Sequence, residues 1–343
     1  MKYLSFVVPS YNASKYLDKV IPSLLVGGDD VEIIVVNDGS KDNTLEIAKR
    51  YEELYPNIVK AVDKENGGHG STINKALEIA TGLYFKCVDA DDWLEENALK
   101  TLLAKIKYHH EKNTLPDLYL TNFVYEHVEE GVSNVSSLRK YMPKDESIFG
   151  WKDIKKFNAV DFFMMHSFVY KLDVLKKSKL HLLEHTFYVD NIFVYQPLYF
   201  VNTICFLDID LYRYFIGRAD QSVSKTSINK NYMHQLRCFE YVMNLYSEDD
   251  FKKLTKKHRY FMIRTFANMY GLTQYYVTFG DYKEKYAKYK EIEKRFKTEN
   301  KSLYKTLTRK TIFAFYHFAP FFIKKIIIKG SESIINKRTG WLQ

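Results

Sequence analysis

Lys86-Cys87-Val88-Asp89-Ala90-Asp91-Asp92-Trp93 is the part of the sequence from which the fold can be inferred most directly. Three carboxylates lie within four residues, directly after the apolar run 83–88, which predicts a buried strand. Ligands of an open α/β sheet bind outside the carboxyl ends of its strands, so we expect a binding site here. Because clustered carboxylates repel one another and oxygen ligands suit hard ions, Mg²⁺ or Mn²⁺ is the expected occupant. The alternative is an acidic turn that caps a helix starting near Leu94.

Working outward, apolar runs alternate with helical patterns through the first half of the chain. Strands are predicted at 3–9, 31–37, 57–62, 83–88 and 118–124, and helices at 14–25, 42–54, 71–80 and 94–111. This alternation predicts an α/β fold with a doubly wound, mostly parallel sheet. Further along we expect a hairpin or loop over 125–142, a short helix at 151–157, a strand at 166–170 and an edge strand at 208–215.

From residue 227 onward the apolar and aromatic residues recur at helical spacing, which predicts a C-terminal helical region. Residues 227–343 carry 24 Lys and Arg against 10 Asp and Glu, whereas residues 1–226 carry 27 against 32. Such a basic region indicates either an anionic partner or a solvated helical face.

The cysteines and the apolar runs indicate in which cellular compartment the protein is expected. Three widely spaced cysteines indicate neither a disulfide framework nor a zinc site, and they fit a reducing compartment. The N-terminal apolar run is too short for a signal peptide, and the chain has no apolar stretch of about 20 residues that could span a bilayer. We therefore expect a cytoplasmic protein.

Two further features are predicted at the same sheet edge. Asp38 ends the second strand, where an acid can accept hydrogen bonds from ribose hydroxyls or a base N–H, unless it only starts a turn. The loop Asn66-Gly67-Gly68-His69-Gly70 precedes a helix, and its backbone N–H groups could cradle a phosphate. It lacks the Gly-Lys-Ser/Thr of a P-loop.

Together these motifs resemble a known family. The elements that occur in order are Pro9-Ser10-Tyr11-Asn12, Val36-Asn37-Asp38-Gly39-Ser40 with Thr44, Asn66-Gly67-Gly68, Asn74, Ala80-Thr81-Gly82 and Asp89-Ala90-Asp91-Asp92. Over residues 1–125 the chain resembles a family 2 glycosyltransferase of the GT-A fold, of the type that builds bacterial cell-surface polysaccharides. The resemblance implies a nucleoside-diphosphate sugar donor, Mn²⁺ or Mg²⁺, and inversion at the anomeric carbon.

The resemblance assigns roles to matching residues. It places Pro9 and Tyr11 in the nucleotide pocket, Asp38 on the uracil or ribose, and Asp89 on the ribose or the metal shell. Asp91 would coordinate the metal that bridges the diphosphate, and Asp92 would contact that metal or only hold the turn. The loop residues expected against the donor are Asn66, Gly67 and Gly68.

The sequence departs from the family pattern at one position, where many members carry a cationic side chain. Many family members have Ala-Arg-Asn before the helix, and the Arg contacts the diphosphate, whereas this chain has Thr72-Ile73-Asn74. His69 could supply a donor instead, and the alternative is a surface histidine.

The second catalytic stretch is Glu184 to Phe193. By resemblance, Asp190 is the general base on the acceptor hydroxyl, although the usual preceding Glu is Val189 here; the alternative is a helix cap. By the same resemblance, Arg218, Gln221 and Ser222 lie on a mobile loop that closes over the donor diphosphate, unless this is a plain basic surface loop.

These expectations define domains and partners. We expect a catalytic domain over 1–226, with a donor half at 1–125 and an acceptor half at 126–226, and a basic, aromatic-rich helical region over 227–343. Residues 281–329 could contact an anionic membrane surface, which would place the protein peripherally at the inner face of the cell membrane, or they could pack as core. The acceptor expected from the family is a cell-surface glycan or a lipid-linked acceptor.

Other functions stay open at this point. A polyprenyl-phosphate glycosyltransferase and a non-catalytic nucleotide-sugar-binding protein are the alternatives. We expect no nucleic-acid partner, because no base-reading module is apparent in the basic third. The aromatic C-terminal helices could form a homodimer interface.

Overall fold

The computed structural model describes residues 1–158, 161–216, 225–278, 282–310, 314–320, 322–327 and 330. The chain divides into two compact units. The first comprises Met1–Lys156 and Met164–Phe215, and the second comprises Phe157–Phe163 and Ile216–Gln343.

The first unit is built on a ten-stranded sheet. Its strands are β1 (Leu4–Ser10), β2 (Val31–Asp38), β3 (Val59–Lys64), β4 (Tyr84–Cys87), β5 (Trp93–Leu94), β6 (Leu118–His127), β7 (Val132–Ser136), β8 (Ile148–Phe149), β9 (Phe168–Lys171) and β10 (Ile204–Ile216). The order is β3-β2-β1-β4-β9-β6-β10-β5, with β7 paired to β6 and β8 paired to β10.

Helices connect and cover these strands, and further helices form the second unit. They are α1 (Ser14–Leu25), α2 (Thr44–Leu54), α3 (His69–Ile79), α4 (Glu96–Glu111), α5 (Leu172–Lys177), α6 (Asp190–Leu198), α7 (Lys225–Lys230), α8 (Tyr232–Met243), α9 (Glu248–Lys253), α10 (Lys256–Thr278), α11 (Tyr282–Glu299), α12 (Lys301–Lys310) and α13 (Ala314–Phe318).

The predicted α/β class is confirmed. The parallel part of the sheet is formed by the first half of the chain, where predicted strands and helices alternate. Strands β3, β2, β1 and β4 pair in parallel. Every residue of β1 is buried, as expected for a strand that is covered on both faces. The pairings of β9 with β4 and with β6 are antiparallel, so β9 runs opposite to both of its neighbours.

Several local predictions need correction. Trp93 and Leu94 form β5 against β10 instead of opening a helix. The following helix is capped by Glu95, whose side chain accepts from the backbone N–H groups of Asn97 and Ala98, so the acidic turn is not its cap. Strand β10 is not an edge strand, because it lies between β6 and β5 and also pairs with β8.

Two short predicted elements also differ. The helix expected at 151–157 is only a 3-10 turn at Trp151–Asp153. His166 lies in a 3-10 turn, Met165–Ser167, directly before β9, instead of within a strand. Both turns nevertheless bury apolar side chains, Trp151 in the first and Met165 in the second.

The second unit is helical, and aromatic side chains form its core. The Phe239 ring stacks on Phe266 and meets Phe296 edge to face, which joins α8, α10 and α11. The buried Tyr289 hydroxyl donates to Glu293 at 2.8 Å, so this polar group is satisfied inside the core. Among the described residues, no helix is both long enough and apolar enough to cross a membrane.

Candidate active site

The carboxyl ends of β1 to β4 gather most of the predicted site residues at one edge of the sheet. Parallel pairing aligns Ser10 with Asn37, and Asp38 with Lys64. The residues that follow each strand therefore emerge side by side. Pro9 is buried at the end of β1, and Tyr11 is 52% exposed just beyond it. The predicted residues placed at this edge are Pro9, Tyr11, Asp38, Asn66, Gly67, Gly68, His69, Asp89 and Asp91.

Asp38 holds the glycine loop. Its carboxylate accepts from the backbone N–H groups of Gly67 at 2.9 Å and Gly68 at 2.7 Å. It also accepts from Lys64 Nζ at 2.8 Å and Asn66 Nδ2 at 3.1 Å. Gly68 has a φ of +84°, which favours glycine at this position. Asp38 thus fixes the loop conformation, a role that sequence reasoning missed.

This arrangement bears on the expected donor contacts. A carboxylate offers about four acceptor sites, and Asp38 already has at least that many donors around it. A hydrogen bond from a base or ribose would have to compete with these. The Gly67 and Gly68 N–H groups are likewise engaged by Asp38, so phosphate binding by them would require the loop to rearrange.

Asp89 is the centre of a cluster that includes two histidines. His69 Nε2 donates to Asp89 Oδ1 at 2.8 Å. His166 Nε2 lies 4.0 Å from Asp89 Oδ2. Burial disfavours the charged form of His69, but the negative charges of Asp89, Asp190 and Asp91 outweigh it and raise the pKa of this histidine. The His69 ring therefore faces the acid site and is no isolated surface histidine.

His166 was not identified from the sequence as a site residue. Its ring stacks on Tyr214 with centroids 4.5 Å apart and also contacts Tyr212. Burial lowers the pKa of His166 to about 4, so it is neutral at physiological pH. Within the part of the chain that the structure describes, its Nδ1 has no hydrogen-bond partner. A lone histidine next to an apolar strand carries no sequence signal for such a position.

Asp92 holds the acidic turn against β10. Its Oδ2 accepts from the Tyr212 hydroxyl at 2.6 Å, and its Oδ1 accepts from the Phe215 N–H at 2.8 Å. Burial, together with the charges of Asp91 and Asp89, raises the pKa of Asp92 well above its ordinary value. Of the two roles left open for Asp92, this geometry favours holding the turn.

Lys86 is a buried cation beneath the site. Its Nζ donates to the carbonyl oxygens of His166 at 2.7 Å and Phe168 at 3.3 Å, which joins β4 to the start of β9. Burial lowers the pKa of Lys86 to about 7. The sequence signal was a single charged residue inside an otherwise apolar strand, and its importance was missed.

Asp190 is the first residue of α6, and Val189 is the cap position. Burial is the main reason that the pKa of Asp190 is raised, while the positive charge of His69 opposes this and the negative charge of Asp89 adds to it. The Asp190 carboxyl therefore lies near enough to His69 and Asp89 to feel their charges.

The expected closing loop lies outside the described residues. Arg218, Gln221 and Ser222 all fall in it, so their predicted donor contacts stay predictions. In the described part, the site offers carboxylate oxygens from Asp89 and Asp91, the nearby imidazole of His69, and the separate carboxyl of Asp190. Such a set could hold a divalent cation and, on another side, accept a proton.

Comparison with known proteins supports the family resemblance that the sequence motifs indicate for the first half of the chain. A family model described as "Glycosyl transferase family 2" matches residues 5–172. The uncharacterized glycosyltransferase MG025 homolog of Mycoplasma pneumoniae is 38% identical over 109 residues, which cover 30% of this chain and 36% of that protein. The Bacillus subtilis protein EpsH is 26% identical over 227 residues, which cover 62% and 60%. The chain thus spans less than two thirds of these relatives.

A solved structure has a similar fold over most of the chain. It is Staphylococcus aureus TarS, residues 1–349, in complex with UDP-GlcNAc. The TM-score is 0.52 at 19% identity, with 91% of this chain and 93% of that chain covered. At this identity the likeness concerns the fold alone.

Proposed function

Because residues 5–172 make this chain a member of glycosyl transferase family 2, we propose that it transfers a sugar from a nucleoside-diphosphate sugar to a hydroxyl group. The observation that carries the proposal is the 2.8 Å hydrogen bond between His69 and Asp89 at the carboxyl edge of the sheet, with Asp91 and Asp190 near enough for their charges to raise the pKa of His69. The binding of UDP-GlcNAc by a protein of similar fold favours a UDP-sugar as the donor.

The donor is proposed to lie along the ends of β1 to β4. Pro9 and Tyr11 would border the base, and the loop Asn66 to His69 would border the sugar phosphates. Asp38 would act there chiefly by shaping that loop, since its carboxylate bonds to Gly67 and Gly68. Arg218, Gln221 and Ser222 would cover the diphosphate from the loop that follows β10 and exclude water from the donor.

A divalent cation fits the residues present. Burial and the charges of Asp91 and Asp89 raise the pKa of Asp92, and the charges of Asp89 and Asp91 also raise the pKa of His69, which indicates a concentration of negative charge that a cation would relieve. Carboxylate oxygens suit Mg²⁺ or Mn²⁺, and an imidazole nearby is better tolerated by Mn²⁺. We assign Asp91 and Asp89 as the ligands. A bound ion would supply charge neutralisation for the departing diphosphate.

Asp190 is proposed as the general base. A carboxyl whose pKa is raised by burial holds a proton more strongly than an exposed one, which suits removal of a proton from an attacking hydroxyl. Direct displacement with a base on the acceptor side inverts the anomeric carbon. The order of events at Asp190 is simple: the acceptor oxygen attacks, its proton moves to the carboxylate, and the nucleotide diphosphate leaves.

The proposed role of Asp190 also bears on the choice between two classes of acceptor, hydroxyl groups and polyprenyl phosphates. A hydroxyl needs a base, whereas a polyprenyl phosphate is already an anionic nucleophile that a nearby carboxylate would repel. We therefore favour a hydroxyl of a cell-surface glycan or of a lipid-linked glycan. A polyprenyl-phosphate acceptor stays the second candidate, because the C-terminal part of the chain is basic.

That basic part is also proposed to contact an anionic membrane. Residues 300–330 contain seven Lys and Arg and no Asp or Glu. Within this segment Phe318, Phe322 and Ile326 are 67%, 65% and 66% exposed, at intervals of four residues. Apolar side chains beside basic ones are typical of segments that lie in the interface of an anionic leaflet.

The membrane proposal is tested by vesicle co-sedimentation. Replacing Phe318, Phe322 and Ile326 with serine should release the protein from vesicles that contain phosphatidylglycerol. A matched control replaces Val128, Val132 and Val135, which are 51%, 46% and 56% exposed in the first unit. Equal binding of both variants would refute the proposal, and a change from dimer to monomer in the first variant would assign the surface to a second copy of the chain.

The transferase proposal is tested by nucleotide release. The full chain is incubated with a panel of nucleotide sugars in Mn²⁺, in Mg²⁺ and in EDTA. Release from one donor that stops in EDTA is the expected result and also identifies the sugar. Tight nucleotide binding without release from any donor, even after addition of envelope glycans, would favour a non-catalytic binding protein.

A further inference from the structure

The segment from Leu182 to Val189 leads directly into Asp190 and is held by a buried side chain of α3. Asn74 Nδ2 donates to the Leu182 carbonyl at 2.9 Å, and the Leu182 N–H donates to Asn74 Oδ1 at 2.8 Å. Asn74 is buried. One side-chain amide therefore satisfies both backbone groups of a residue 108 positions away, as a neighbouring strand would.

Glycines let the segment approach the loop before α3 closely. A Cβ atom on Gly70 would lie 2.6 Å from the Leu183 carbonyl oxygen, and one on Gly68 would lie 3.2 Å from the His185 nitrogen. The His185 N–H also donates to the Gly67 carbonyl. The loop and the segment thus touch backbone to backbone at these three glycines.

The backbone of the segment adopts conformations that need such support. His185 has a φ of +49° and Tyr188 has a φ of +67°. These left-handed conformations cost free energy for residues with side chains, and they persist where neighbouring contacts determine them. The segment just before Asp190 is consequently held in place by its contacts and not by its own preference.

We propose that Asn74 is a positioning residue that places the Asp190 carboxyl relative to the donor loop. The loop is fixed by Asp38, the segment is fixed to the loop and to Asn74, and Asp190 follows the segment at the start of α6. Donor binding at the loop and acceptor activation at Asp190 are in this way tied to one rigid element. The inference rests on the proposed role of Asp190 as the general base.

The test compares Asn74→Ala with Lys75→Ala, a control on the exposed side of the same helix. Two readouts are used on the full chain: hydrogen–deuterium exchange of peptides that cover 182–190, and the separation of nucleotide affinity from turnover. A displacement of about 1 Å in a reacting group can cost about a hundredfold in rate. We expect faster exchange in this segment alone, UDP affinity within about twofold of wild type, and turnover about 10- to 100-fold lower.

Unchanged exchange over 182–190, or a parallel loss of UDP affinity and turnover, would overturn the positioning role and leave Asn74 as a stabilising residue only. If Asn74→Ala does not fold, Asn74→Ser keeps a small polar side chain that is too short to bond both backbone groups of Leu182 and should give the same pattern; its failure to do so overturns the proposal. If the wild-type chain releases no nucleotide, the proposed function fails separately, because the exchange readout does not depend on activity.

Discussion

Replacing Lys86 with methionine should change how the stability of the first unit depends on pH. The side chain is fully buried, and its Nζ donates to the carbonyl oxygens of His166 and Phe168. Burial lowers the pKa of Lys86 from 10.5 to about 7, because the charged form loses its hydration. Methionine has a similar length and carries no charge, so it removes the titration and little volume.

The magnitude follows from the pKa difference. The full effect of burial on the charged form corresponds to about 5 kcal/mol, at about 1.4 kcal/mol per pKa unit. Below pH 7 the lysine is charged in both the folded and unfolded states, and this cost is present in full. Above pH 7 the folded state releases the proton while the unfolded state keeps it up to about pH 10.4, so stability rises with pH. Between pH 7 and 9 the wild type should gain about 2.5 kcal/mol relative to Lys86→Met.

The assay is urea unfolding at a series of pH values, followed by the fluorescence of Trp93 and Trp151, which both lie in the first unit. The quantity compared is the difference in unfolding free energy between wild type and variant. Lys75→Met, which removes an exposed lysine, serves as the control and should show no such slope. Parallel pH profiles for wild type and Lys86→Met would refute the argument that Lys86 is a buried cation.

Three other variants test separate parts of the account. Asp91→Asn should abolish the Mn²⁺ dependence of UDP binding measured by calorimetry; if the dependence persists, the metal ligands are elsewhere. Tyr212→Phe removes the 2.6 Å hydrogen bond to Asp92 and should lower the unfolding free energy by about 2 kcal/mol, because a buried carboxylate oxygen loses its donor; a loss below about 0.5 kcal/mol would contradict this. Glu95→Ala removes the cap of α4 and should cost about 1 kcal/mol in thermal unfolding, whereas an unchanged midpoint would show that another group caps the helix.

Much of the first unit was predictable because three of its four parallel strands, β1, β2 and β4, are buried almost throughout. Such strands appear as continuous apolar runs, and the run before Asp89 is one of them. The register of parallel strands then aligns their carboxyl ends, so the residues after β1, β2, β3 and β4 were expected together. The structure places them at one edge, as the sequence pattern predicts.

Other parts depend on contacts that no local pattern contains. The bonds between Asn74 and Leu182 join residues 108 positions apart, and nothing near either residue indicates the other. Asp38 carries the motif of a ligand-binding acid, yet its carboxylate is used by the loop that follows β3, since the N–H groups of Gly67 and Gly68 donate to it.

The acidic turn shows why the misassigned helix start was difficult to foresee. Asp and Glu are both suited to a helix N-terminus, and the choice between the acids of the turn and Glu95 depends on where β10 lies. Tyr212 and the Phe215 N–H bind Asp92, and Glu95 is then left to cap α4. Tertiary contacts of Asp92 thus overrode the local preference for Asp as the cap.

The central claim is that Asp190 activates an acceptor hydroxyl opposite a nucleotide-sugar donor bound at the acidic turn. The most direct measurement is sugar transfer by Asp190→Asn at donor concentrations that saturate every protein compared. Asp173→Asn, which removes an exposed carboxylate in the first turn of α5, is the control. The account predicts unchanged donor affinity for Asp190→Asn and a rate of transfer lower by about 10²- to 10⁴-fold, as expected for loss of a general base. Transfer at the wild-type rate would contradict it and move the base to another residue.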